Sequence, residues 1–181
     1  MTTSSHLSPG LTIMVGNKLY RVESAVKVTV PKGSPFIKTQ LLDLTTNKTI
    51  EKSFKLNQSI KEVQLVGRTL EFLYLEGKDY LFLDVGNLEK LIVSSQVVAD
   101  NSEYLKEGVQ VVASFYGDTI FTVELPQFLE LMVADVGDKL DSNGAKPAVL
   151  ETGAKVKVPS FVQSGDIIKV DTRNHEYIQR V

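Results

Sequence analysis

The sequence predicts an all-β protein assembled from three small β-barrel domains. Short runs alternate apolar and polar residues, and Gly, Asn, Asp and Pro interrupt them at short intervals. The long helical crossovers that a parallel sheet requires are missing.

The elements follow in order. Leu11–Val15 and Leu19–Glu23 flank Gly16-Asn17-Lys18, a short-loop hairpin. Val26–Val30 and Phe36–Leu41 read as two strands around Pro31-Lys32-Gly33-Ser34-Pro35. In that turn Gly33 can take positive φ at no steric cost, Pro31 and Pro35 stiffen both shoulders, and Pro35 pushes Ser34 toward the extended region. Lys32 is thereby placed at the apex of a braced finger. Leu70–Leu75 and Tyr80–Leu83 flank Glu76-Gly77-Lys78-Asp79, a further hairpin. One helix is expected, with Asp100 as N-cap, Glu103 at N3, Tyr104 and Leu105 toward the core, and Gly108 past its end. A short helix between barrel strands suits the five-stranded OB arrangement.

An internal echo supports two tandem barrels of one type. Gly108–Ile120 resembles Gly153–Ile168, each with a leading glycine and a later Gly-Asp turn, Gly117-Asp118 and Gly165-Asp166. Boundaries are expected in Asn57–Val66 and at Pro126-Gln127. The domains are then 1–63, 64–126 and 127–181.

Charge is unevenly distributed although the net is only −2. Residues 1–63 carry nine Lys/Arg against four Asp/Glu, and residues 64–127 carry four against ten. The first segment is the part suited to a polyanion such as RNA. Absence of cysteine excludes disulfides, thiol nucleophiles and thiolate metal sites. No apolar run is long enough to span a membrane, and the N-terminus lacks the pattern of a signal peptide. A soluble cytoplasmic monomer is expected.

No enzyme motif is present. His6 and His175 form no metal-ligand spacing, so no metal or cofactor is expected, and His175 beside Glu176 reads as a surface pair. There is no Gly-x-Ser-x-Gly elbow, dinucleotide fingerprint or Walker loop. The aromatic residues alternate with polar ones and are expected to pack in cores.

The C-terminal run Lys146–Gly153, Phe161–Arg173, Tyr177 and Arg180 closely resembles the C-terminal domain of bacterial elongation factor P. The likeness extends to Pro9–Ile13, to Lys32-Gly33 followed by Phe36, and to Glu51–Lys55. It implies a KOW/SH3-like barrel followed by two OB folds in an L-shaped arrangement. It also implies a non-enzymatic translation elongation factor that binds the 70S ribosome beside P-site tRNA and relieves stalling at consecutive prolines. The family's tip lysine, often extended by a lysine-modifying enzyme, corresponds to Lys32. Pro31 and Pro35 depart from the family's glycine and small residues, which stiffens the tip and alters what such an enzyme would meet. The loop Val136–Ala145 is shorter than the family's and reads Asp141-Ser142-Asn143-Gly144, so no mRNA contact is assigned to it. Arg173 and Arg180 are candidates for RNA contact, with pairing to Asp166 or Asp171 as the structural alternative. Two other readings stand beside this one. One is an elongation factor P-like paralogue with a specialised ribosomal role. The other is a lysine-loaded group carrier, although Lys32 lacks the Met-Lys-Met or Asp-Lys-Ala flanks of such modules.

Overall fold

Along the strand Phe36–Asp43, Ile37, Thr39, Leu41 and Asp43 are buried and the residues between them are more open, a strict period of two. Such alternation places one face of a sheet on a core and the other in water. The computed structural model, which describes residues 1–181, repeats this principle in three antiparallel sheets.

The first sheet holds β1 (Thr2–Thr3), β2 (Thr12–Val15), β3 (Lys18–Val28), β4 (Phe36–Asp43), β5 (Thr49–Lys55) and β6 (Ser59–Glu62), in the order β1-β6-β2-β3-β4-β5. The second holds β7 (Val66–Glu76), β8 (Asp79–Asp84), β9 (Lys90–Val93), β10 (Gln110–Tyr116) and β11 (Thr119–Glu124), in the order β11-β10-β7-β8-β9. The third holds β12 (Phe128–Val136), β13 (Ala145–Leu150), β14 (Lys155–Pro159), β15 (Ile167–Asp171) and β16 (Glu176–Arg180), in the order β14-β13-β12-β15-β16.

The second and third sheets have the same topology. In each, the first strand is central, the next two extend to one side and the last two to the other. Two barrels of one type are therefore present, as the internal echo suggests, but the echo is out of register with them. Gly108–Ile120 forms the β10–β11 hairpin, whereas Gly153–Ile168 supplies β14 and the start of β15, which are not neighbours. The structural counterpart of β10 is β15. Gly108 and Gly153 share φ of +91° and +92°, so the likeness records a shared turn conformation and not an equivalent position.

Two compact units divide the chain: Met1–Gly67 with Ser114–Thr122, and Arg68–Ala113 with Val123–Val181. In the first, Leu7, Ile13, Tyr20, Val22, Leu41, Phe54 and Ile60 form the main core. A second cluster joins Leu19, Leu44 and Val63 to Tyr116 and Phe121. Buried Ser4 fastens the seam near the end of β5, its hydroxyl donating to the Lys55 carbonyl and its N–H to the Gln58 carbonyl. The segment Asn57–Val66, expected as a boundary, contains β6, which pairs with both β1 and β2. Its Ile60 sits in the core, so the first sheet runs to Glu62 within this stretch, and Val66 begins β7 of the second sheet.

In the second unit, Phe72 and Phe82 meet edge to face at 5.4 Å. The core of the third sheet gathers Leu131, Val133, Leu150, Val156, Ile168 and Val170 around Tyr104, which is 1 % exposed. The expected helix starts earlier and is weaker than its capping pattern suggests. A single turn, α1 (Ser95–Val98), follows Ser94, and a 3-10 stretch runs from Ala99 to Tyr104. Asp100 thus lies inside the 3-10 segment and caps nothing. Ala99 at φ +48° breaks the helical path, and the paired valines before it are poor helix formers. Tertiary anchors take over: Asn101 donates its side-chain amide to the Val123 carbonyl at 2.7 Å.

Candidate functional site

The longest hairpin of the first sheet is β3–β4, in register from Tyr20↔Asp43 out to Val28↔Phe36, with a bulge between Val22 and Ser24. A bulge strengthens local twist and re-aims the strands beyond it. On its other side β4 pairs with β5, also as far as Phe36↔Lys55. The connection 29–35 therefore leaves a base in which β4 is held on both sides, by β3 and by β5. Thr29 through Ser34 are exposed, while Pro35 and Phe36 are half-buried.

Pro31 and Lys32 are the centre of a turn. Lys32 is exposed and its ammonium has neither an ion pair nor a hydrogen bond. Two sequence expectations are corrected here. β3 stops at Val28, so Thr29 and Val30 belong to the loop. Gly33 does not adopt positive φ. A turn with Pro in second place, Gly in fourth and no positive φ matches the type I pattern. Gly33 is needed for a different reason, namely space: a Cβ built on it would lie 2.7 Å from Cγ2 of Val30.

Four further lysines occupy the strands beside the tip. Lys27 is on β3, Lys38 on β4, and Lys52 and Lys55 on β5. Lys38 faces Glu51 at 3.5 Å, and the Lys52 ammonium lies 5.8 Å from the Phe54 ring centre. The tip thus stands on a cationic base, as the charge distribution along the sequence suggests.

The remaining candidates lie in the second unit. Arg173 follows β15 in a turn built by buried Asp171, whose carboxylate accepts the N–H groups of Arg173 and Asn174. Burial pushes the Asp171 carboxyl up, but these backbone donors and the Gln127 amide hold it below the usual carboxylate range. The Arg173 side chain is exposed beside a cleft of about 500 Å³. Arg180 ends β16, 3.7 Å from Asp166 and 5.1 Å from the Phe161 ring centre. Its guanidinium therefore has the expected structural partner. Tyr177 packs against the core of the third sheet.

His175 is not paired with Glu176. Its Nδ1 lies 2.6 Å from the Tyr104 hydroxyl, with the two rings stacked at 5.5 Å. Nothing local in the sequence signals this contact, which joins residues 71 positions apart. In the loop before β13, Asp141 accepts the N–H groups of Asn143 and Ala145 and pairs with Lys157 at 3.0 Å. That carboxylate is committed to its own turn.

A six-stranded sheet followed by two five-stranded sheets of common topology has the build of an all-β protein of KOW-like and OB domains. Comparison with known families makes the assignment specific. Residues 3–60 match the elongation factor P KOW-like domain, 65–123 its OB domain and 129–180 its C-terminal domain. Elongation factor P 1 of Protochlamydia amoebophila is 63 % identical over the full length of both chains, and that of Chlamydia pneumoniae 51 %. Elongation factor P of Prochlorococcus marinus is 40 % identical over 99 % of each chain. The protein belongs to the elongation factor P family. Its fold also resembles the structure named eukaryotic translation initiation factor 5A from Methanococcus jannaschii, with a TM-score of 0.51 over 67 % of this chain and 93 % of that one at 18 % identity.

Proposed function

We propose that this translation factor acts without chemistry of its own. It binds the 70S ribosome beside P-site peptidyl-tRNA, presents Lys32 toward the peptidyl-transferase centre, and relieves stalling at consecutive prolines. The observation that carries the reading is the unpaired, exposed Lys32 at the apex of a hairpin whose β4 strand is paired on both sides out to Phe36. Proline is a stiff and poor nucleophile, so restraining the tRNA end can accelerate attack through orientation alone. In the division we adopt, residues 1–63 carry the tip, and 64–126 and 127–181 form the two OB domains. The cationic strands of the first domain suit tRNA phosphates. Arg173, exposed at a turn, remains a weaker candidate for RNA contact than Lys32. The factor works where ribosomes do, in the cytoplasm, and as a monomer.

The test is a polyproline reporter in reconstituted translation. Lys32→Ala should fold and melt like the parent yet lose the stimulation, an outcome expected to exceed tenfold on the proline-proline step. Full stimulation by that variant would remove Lys32 from the mechanism. Intact-mass measurement of the native protein reads whether a lysine-modifying enzyme has acted on the same residue. The relatives named Elongation factor P 1 favour a second reading, a specialised member of a numbered set. Ribosome profiling of a deletion strain separates the two, since a specialised member would leave most proline-proline pauses unchanged.

A further inference from the structure

The tip loop is more constrained than its exposure suggests. Val30 and Ser34 each precede a proline and are held extended, while Pro31 and Pro35 have fixed φ. Lys32 and Gly33 retain the main backbone freedom at the apex. At that point Val30, the one apolar side chain of the apex besides its prolines, lies against Gly33 so closely that a Cβ there would come within 2.7 Å of its Cγ2 and 3.9 Å of its Cβ. Val30 is β-branched and stiff at χ1, so an added methyl is not accommodated by a small adjustment of a long flexible chain. Val30 remains 36 % exposed, which makes a stabilising role in the core of the domain a poor explanation for it.

We propose that Val30 is a positioning residue. Seated on the Cβ-less face of Gly33, it closes a clasp across the turn and fixes the direction in which Lys32 leaves the loop. The inference rests on the tip reading above: Lys32 acts by placement, so residues that set its direction should change rate and leave binding intact. Misplacement of about 1 Å is enough to cost up to a hundredfold in an oriented reaction.

Single-turnover proline-proline bond formation on 70S complexes, titrated with factor, separates maximal rate from half-saturating concentration. Val30→Ala should lower the maximal rate by about tenfold with half-saturation within about twofold of the parent, and Val30→Ile should retain the rate. Gly33→Ala should also slow the reaction, but Val30→Ala combined with Gly33→Ala should cost far less than the product of the single losses, because truncating Val30 makes room for the new methyl. An unchanged maximal rate for Val30→Ala, or losses that multiply independently, overturns the clasp. A thermal melt of each variant confirms that the exposed loop changes leave the fold intact. The two levels fail differently. If Lys32→Ala performs like the parent, the tip reading falls and the clasp with it. If Lys32→Ala is inactive while Val30→Ala is fully active, only the clasp falls.

Discussion

Asp43 shows how a single buried charge can be made to stabilise a β protein. It is 5 % exposed and its carboxylate accepts the N–H groups of Thr45 and Thr46 at 2.8 and 3.2 Å, with Lys18 at 3.8 Å. Burial alone would push its carboxyl up; the backbone donors and Lys18 outweigh burial and hold it below the usual value. A depressed folded value means that the stabilisation is complete above the unfolded carboxyl range, near pH 4, and is lost as pH falls through the folded value. Asp43→Ala should therefore cost about 1–3 kcal/mol at neutral pH by urea unfolding, the penalty of orphaned buried donors. Asp43→Asn keeps an acceptor oxygen and should cost less, while flattening the acid limb of the stability curve. Tyr104 poses the complementary case of a buried polar aromatic. Burial, with Glu103 and Asp171 nearby, pushes its phenol up and keeps it protonated. Tyr104→Ala should cost about 3–5 kcal/mol and Tyr104→Phe about 1 kcal/mol, since only the second retains the packing.

At the scale of elements, one turn design recurs in all three sheets. Asp43, Asp84 and Asp171 each end a strand and accept a backbone N–H two residues on, and each is followed four residues later by a residue at φ near +60°: Asn47, Leu88 and His175. Asn suits that conformation; leucine does not. Leu88 is 72 % exposed, so replacing it removes no burial. Leu88→Gly should raise stability by about 0.5–1 kcal/mol in denaturant melts, and a loss instead would mean that the leucine has packing that its exposure hides. This turn also marks what the sequence revealed. Strands with strict alternation and turns rich in glycine, such as Gly16-Asn17 and Gly77-Lys78, were legible because period and turn chemistry are local properties. The αL position of Leu88 was not, because tertiary closure imposes it against local preference. The helix departs from its sequence signal for a related reason: Asp100 and Glu103 have the spacing of a cap, yet Ala99 and the Asn101–Val123 contact redirect the chain. At the site, Lys32 and its prolines were legible from the turn pattern, whereas the role of Gly33 depends on where the Val30 side chain lies, which spacing does not encode.

The whole molecule separates its charges by segment, and this has a consequence for both binding and solubility. Residues 1–63 have an excess of five positive charges and residues 64–127 an excess of six negative ones. If the first segment meets tRNA phosphates as proposed, affinity for ribosomes carrying P-site tRNA should fall linearly with the logarithm of salt concentration. Lys27→Ala and Lys55→Ala should each reduce that slope by about 1, while Lys78→Ala and Lys90→Ala in the acidic segment should leave it unchanged. A competing explanation exists for part of the cationic set. β5 is an edge strand of its sheet, exposed except at Phe54, and lysines on an edge prevent strand-to-strand association. The two roles give different results in Lys52→Ala/Lys55→Ala. Guarding the edge predicts concentration-dependent association by sedimentation with the salt slope preserved. Phosphate contact predicts a shallower slope and a protein that stays monomeric. Lys27 lies on β3 beyond its pairing with β2, which ends at Arg21, so its outer side is also an open edge and needs the same two measurements. A shallower slope in Lys27→Ala with a protein that stays monomeric would assign its charge to RNA, and a preserved slope with association would make it, like the lysines of β5, protection for the sheet.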